Sequence, residues 1–252
     1  SDGTGNNADA DDDDDGVLDA GGYSAMSSLS GFSDPNESFG QSVVLSANSK
    51  VMAVANNNGR WLNKIHIFDW IEDTWVARGL WIDSFEGPKQ LSLSSDGNIV
   101  VVSSPNPGNN WGGKLEVFLW NSDAWTQLGS TLSGGFKAQL GSSVSLSDNG
   151  KILAVGYDAY FGFDGTGSVK IFDLVGSQFD LRSSIIGEAA NDLFGASIDL
   201  SSDGKILAVG AYGNDGNGGS SGHVRVLYWT GSAWTQLGQD IDGLEGERTG
   251  YS

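Results

Sequence analysis

The chain has 252 residues, 38% of them hydrophobic, no cysteine, and 32 acidic against 13 basic side chains for a formal net charge of −19. It contains no run of about 18 apolar residues such as a bilayer span requires, and without thiols it has no disulfides, thiolate zinc sites or cysteine nucleophiles. An acidic surface repels phosphate, which argues against nucleic acid and anionic membrane as partners and in favour of divalent cations.

The N-terminal segment is the most biased. Eight of its first twenty residues are Asp and none is basic, so the other 232 residues hold only −11. Asp11 to Asp19 reads D-x-D-x-D-G-x-x-D. In a tight loop Asp11, Asp13 and Asp15 converge on one hard cation, Gly16 permits the bend, the carbonyl of Val17 adds a ligand and Asp19 closes the sphere. Calcium (Ca2+) is the expected ion. An EF-hand would place Glu at the twelfth loop position, where this chain has Gly22. The competing reading of so acidic a stretch is a disordered linker. Gly3 to Ala8 also fits a loose dinucleotide fingerprint, but no strand precedes it. With no apolar signal region after Ser1, the chain reads as a mature or excised fragment.

From about residue 30 a unit of about 54 residues recurs. Leu45, Leu93, Leu146 and Leu200 mark one phase of it, and Trp75, Trp125, Phe179 and Trp234 another. The two markers drift together, which defines copies at about 30–82, 83–133, 134–187 and 188–242 and the start of another at 243–252. The acidic segment, 1–22, is expected to be separate from the repeats, 23–252.

Each copy reads as four short strands. The first alternates, as in Ser143 to Ser147, and a turn such as Asp148-Asn149-Gly150 or Ser202-Asp203-Gly204 follows it. The second, Ile152 to Gly156 or Ile206 to Gly210, is apolar throughout, as suits a strand buried on both faces. A Gly/Asn/Asp-rich loop leads to the third, aligned as Ile65 to Phe68, Leu115 to Phe118, Val169 to Phe172 and Val224 to Leu227. The fourth carries Trp, with Ala124 to Gly129 repeated as Ala233 to Gly238.

Antiparallel four-stranded units in tandem, without helical periodicity, predict an all-β fold, a β-propeller. The aromatics that recur in phase, including Trp75, Trp125 and Trp234, are expected to be buried between blades. Trp111 and Phe161 fall outside that phase and are the candidates for a sugar platform. Four copies either form part of a larger ring, completed by the parent chain or by neighbouring molecules, or close by themselves with Ile241 to Ser252 near Gly31 to Gly40. The larger ring is the expectation.

Phe194-Gly195 followed by Gly210-Ala211 resembles the FG-GAP repeat of integrin-type propellers, with partial copies at Phe39-Gly40, Leu140-Gly141 and Ser104-Pro105. The second copy departs from it, with Gly87-Pro88 in place of Phe-Gly. The tandem Ser-x-Leu-Ser, Asp-Gly-Lys and Leu-Ala-Val-Gly-Ala pattern is similar to repeats of large secreted or surface proteins of microbes. The N-terminal segment is similar to a cysteine-free thrombospondin type 3 repeat. These resemblances imply an extracellular or cell-surface location and a non-catalytic adhesion or scaffold role toward a protein or glycan ligand. The alternative is a recognition domain of a larger secreted polysaccharide-active enzyme. Integrin-type propellers carry calcium between the first and second strands of certain blades. Here that connection is a short turn with too few ligands for a cage.

Signals for catalysis are sparse. His66 aligns with Glu116, Lys170 and Arg225 and so occupies a polar strand position, while His223 begins the third strand of the last copy. There is no nucleophile elbow, phosphate loop or histidine-rich metal spacing. Acids are plentiful enough for a glycosidase pair, but their separation cannot be read from sequence. The expectation is a protein that is not an enzyme.

Overall fold

A computed structural model describes residues 38–57, 63–84, 90–105, 112–136, 138–157 and 165–252. These residues form strands, turns and connecting loops, with no helix among them. Blade 1 comprises β1 (Ser38–Leu45), β2 (Val51–Asn57), β3 (Asn63–Ile71), β4 (Thr74–Ala77) and β5 (Ile82–Ser84). Blade 2 comprises β6 (Gln90–Leu93), β7 (Ile99–Ser104), β8 (Lys114–Trp120), β9 (Trp125–Gln127) and β10 (Leu132–Ser133). Blade 3 comprises β11 (Leu140–Leu146), β12 (Ile152–Tyr157), β13 (Ser168–Val175) and β14 (Gln178–Ile186). Blade 4 comprises β15 (Ser197–Leu200), β16 (Ile206–Ala211), β17 (His223–Trp229), β18 (Trp234–Gln236) and β19 (Ile241–Asp242). Every blade is an antiparallel meander, and the four together are propeller blades.

The fourth strand departs from the sequence expectation. In blades 1, 2 and 4 it is two pieces that pair with the same neighbour, β4 and β5 on β3, β9 and β10 on β8, β18 and β19 on β17. Between the pieces stand Gly79, Gly129 and Gly238, all at positive φ. Blade 3 has Ser183 there, and β14 runs unbroken over nine residues with one bulge. The left-handed glycine therefore decides whether the outer strand breaks.

Three apolar cores lie between successive blades. Val51, Ile65, Ile67, Leu91, Leu93 and Val100 pack between blades 1 and 2. Val101, Leu115, Leu140, Leu146, Leu153 and Phe172 pack between blades 2 and 3. Ala154, Ile171, Phe194, Leu200, Leu207 and Val209 pack between blades 3 and 4. The inner strands stack in sequence, β1 on β6, β6 on β11 and β11 on β15, and among the described residues no comparable packing joins blade 4 to blade 1.

The phased tryptophans are half-buried rather than buried. Trp75, Trp125 and Trp234 lie on outer strands, where solvent reaches one side, and each tilts against its cross-strand partner Trp70, Trp120 or Trp229 at 5.0, 5.4 and 5.5 Å between ring centroids. Two also tie blades together. Trp125 Nε1 donates to the Arg78 carbonyl at 3.2 Å and Trp234 Nε1 to Ser183 Oγ at 3.1 Å.

Odd and even blades differ in a regular way. Blades 1 and 3 carry cross-strand pairs Asp69 with Arg78 and Asp173 with Arg182, whose guanidinium groups reach the next blade, Arg78 at the Gly97 carbonyl and Arg182 over the Trp229 ring. Blades 2 and 4 have Leu119 and Leu128, and Tyr228 and Leu237, at those positions.

Candidate functional site

The metal ligands expected from sequence, Asp11, Asp13, Asp15, Val17 and Asp19, lie outside the described residues, as do Trp111, Phe161 and Gly87-Pro88. Among the described residues the recurring chemistry sits at the blade junctions.

Phe194 is buried and Gly195 follows at φ +95. Gly195 N–H donates to the Gly210 carbonyl at 3.0 Å, so the Phe-Gly and Gly-Ala halves of the motif meet across one blade. The Gly195 carbonyl in turn accepts from Ser143 Oγ of blade 3 at 2.7 Å. A Cβ on Gly156 would lie 2.1 Å from that carbonyl and 2.3 Å from Ser143 Oγ, so only glycine admits the approach. The same latch joins Ser197 to the Gly250 carbonyl at 2.9 Å, while in blade 2 the serine comes from the second strand, where Ser103 stands at the position of Gly156 and donates to the Gly141 carbonyl at 2.8 Å. Ser92 Oγ accepts Leu146 N–H at 3.1 Å, and Ser145 Oγ accepts Leu200 N–H at 3.0 Å. A backbone thread also crosses the inner turns, from Asn48 to Ser95, Ser95 to Asp148 and Asp148 to Ser202.

The turns after the first strands use their polar groups locally. Asp96 accepts from Ser94 Oγ at 2.6 Å and from Asn98 N–H at 3.0 Å, and Asp203 accepts from Ser201 Oγ at 2.8 Å and Lys205 N–H at 3.0 Å. Burial opposes ionisation of Asp96, but the hydrogen bonds from Ser94 and Asn98 outweigh it and hold the carboxyl below its ordinary value. In the loop before β15 the Asp192 carboxylate takes Ala189 N–H, and it also takes Asn214 Nδ2 from the loop before β17, where Asp215 takes Ser220 N–H. These acids close turns.

Glu188, His223 and Asp240 bring three ligand atoms within 4.8 Å of one another. The guanidinium of Arg225 already fills that cluster. It pairs with Glu188 and grips Asp240 at 3.1 and 2.9 Å, raising its own affinity for its proton and lowering that of Asp240. A cation added there would meet a fixed positive charge, so the cluster is an ion-pair network tying the end of blade 3 to blade 4.

His66 corrects the sequence expectation of an ordinary polar strand position. Its ring is buried, with centroids 5.9 Å from Phe39, 6.2 Å from Trp81 and 6.4 Å from Phe68. Burial first, and the Lys64 ammonium second, push the imidazole below its ordinary value.

Beside His66 lies a groove that sequence reasoning missed. It has a volume of about 320 Å³ and is lined by Leu80, Trp81, Ile82, Asp83, Phe118, Asp123, Ala124 and Trp125, between blades 1 and 2. Trp81 is 43% exposed. The other copies place Thr131, Ser184 and Asp240 at its position, so the signal was an aromatic standing outside the repeat's phase.

Residues 187–227 match the family model described as the FG-GAP repeat, a segment that holds Phe194-Gly195 and Gly210-Ala211. No curated protein matches the chain. Among solved structures it is similar to a putative 6-phosphogluconolactonase from Bacteroides uniformis, with TM-score 0.56 and 15% identity over 81% of this chain and 54% of that one. It is also similar to a hypothetical selenium-binding protein from Sulfolobus tokodaii, with TM-score 0.55 and 12% identity over 81% and 55% of the two chains. A third is Kuenenia stuttgartiensis hydrazine synthase, with TM-score 0.54 and 18% identity over 74% and 51%. The chain thus spans about half the length of these structures, and at such identities the likeness is one of fold.

Proposed function

We propose that the chain is a non-catalytic interaction module of an extracellular or cell-surface protein. In this reading the blades of 23–252 form a scaffold that displays loops to a protein or glycan ligand, and the acidic segment 1–22 binds calcium through Asp11, Asp13, Asp15, the Val17 carbonyl and Asp19. The observation that carries it is the use of polar groups at the described junctions. The serine latches, the Asp–Arg pairs and the Glu188–Arg225–Asp240 network all serve to join or brace blades. The FG-GAP match at 187–227 and the likeness to repeats of secreted microbial proteins support the same reading.

Calorimetry of the full chain with calcium tests the metal half. The expected result is one calcium bound per chain in the range of about 10⁻⁴ to 10⁻³ M, typical of extracellular modules, and lost in an Asp13→Ala, Asp15→Ala double variant. Equal binding by the variant contradicts it. Because the structures of similar fold include a putative lactonase, hydrolysis of sugar lactones and of acidic polysaccharides is assayed in parallel. Turnover that scales with the purified chain contradicts the non-catalytic half.

A further inference from the structure

We infer that the groove between blades 1 and 2 is a binding site for a neutral glycan, with Trp81 as its platform. This rests on the interaction-module reading and names the ligand class of one site. A pyranose presents a face of C–H groups and a rim of hydroxyls, so it asks for an aromatic ring beside hydrogen-bond acceptors. Trp81 supplies the ring, left 43% exposed by folding. The Lys64 ammonium, 3.8 Å from the ring centroid, helps set its orientation. Phe118 and Trp125 make an apolar floor, and Trp125 is held there by its bond to the Arg78 carbonyl.

Acceptors flank the platform. The carboxylates of Asp83 and Asp123 line the groove, and among the described residues neither has an ion-pair or hydrogen-bond partner. Two free carboxylates in a chain of net charge −19 repel uronates and sulfates, and the Lys64 ammonium is engaged with the indole. Hydroxyl donors are what the groove accepts. Packing of the repeat does not require this tryptophan, because the three other copies do without an aromatic there.

The test titrates neutral oligosaccharides of glucose, galactose and mannose into the full chain, read by calorimetry and tryptophan fluorescence. The expected result is saturable binding of at least one of them, weakened about tenfold or more by Trp81→Ala and partly restored by Trp81→Phe. Asp83→Asn weakens it less. Melting temperatures keep loss of the site apart from loss of the fold, and the Phe variant preserves the test if the Ala variant unfolds. No saturable binding up to about 10 mM overturns the proposal. So does binding that survives Trp81→Ala in a folded chain, or tighter binding of uronate oligomers. Attachment of the chain to cells, measured alongside, separates the two readings: attachment unchanged by Trp81→Ala in a chain that binds no sugar sinks the glycan site and leaves the module reading intact.

Discussion

The junction between blades 3 and 4 and the front of blade 1 are built from corresponding residues of the repeat, yet their chemistry differs. At the junction, Ser143 latches the Gly195 carbonyl, Ser145 accepts Leu200 N–H, and the turn glycine Gly204 sits so close that a Cβ would lie 2.4 Å from Ile152. Gly97 and Gly150 approach Val51 and Ile99 in the same way. At the front of blade 1 the turn residue is Ser49, exposed at φ 58, and Val43 and Leu45 are 54% and 51% exposed. The glycine and the buried apolar face go together with a blade pressed against them. Repeat chemistry at these positions is junction chemistry.

The contrast is broken most forcefully at the buried phenylalanine. Phe194→Ala is expected to lose about 3–5 kcal/mol in denaturant unfolding, while Phe39→Ala, at the half-buried equivalent in blade 1, loses about 1 kcal/mol. Equal losses would mean that the two faces are packed alike. Next in size is Trp125→Ala, at about 2 kcal/mol, since this ring is half-buried and holds one bond to the preceding blade. A loss as large as that of Phe194→Ala would contradict its outer position.

The turn residues sharpen the comparison further. Gly204→Ser forces a side chain into Ile152 and costs about 1–3 kcal/mol, whereas Ser49→Gly relieves a positive φ and is neutral or stabilising within about 1 kcal/mol. A destabilising Ser49→Gly would show that Ser49 has a packed neighbour.

The smallest expected effect is electrostatic. Asp96 has a folded-state pKa below its ordinary value of 3.8, so the native turn binds fewer protons than the unfolded chain. Its contribution is complete above that value and is lost as pH falls through the folded value. Asp96→Asn should flatten the acid limb of the stability profile below about pH 4, and an unchanged limb would count against the Ser94–Asp96–Asn98 turn.

Much of this was legible in sequence because packing imposes a period. The repeated leucines, the Asp-Gly or Asn-Gly turns and the apolar second strands located the blades, since each residue meets the same neighbour in every copy. The broken fourth strand was missed because it hangs on one left-handed glycine, Gly79, Gly129 or Gly238. The aromatic surroundings of His66 were missed because alignment on Glu116, Lys170 and Arg225 gives the phase of a position but not its neighbours from adjoining strands. Of the candidate sites, Trp81 departs from the repeat and was therefore detectable, but it sits six residues after Trp75 and was passed over. The junction latches were half legible: Phe-Gly and Gly-Ala mark the positions, while their meeting across the blade needs the register of β15 and β16.

The central claim is that, among the described residues, the four blades form an open array, with the front of blade 1 and the far face of blade 4 unstacked. Because the chain has no cysteine, Val43→Cys and Ile206→Cys place one spin label on each face without background. Dipolar spectroscopy on the doubly labelled, magnetically diluted chain is predicted to give an intramolecular separation well beyond the roughly 10 Å at which packed sheets face each other. A narrow distribution near that spacing would mean that the four blades close on themselves, and would contradict the account.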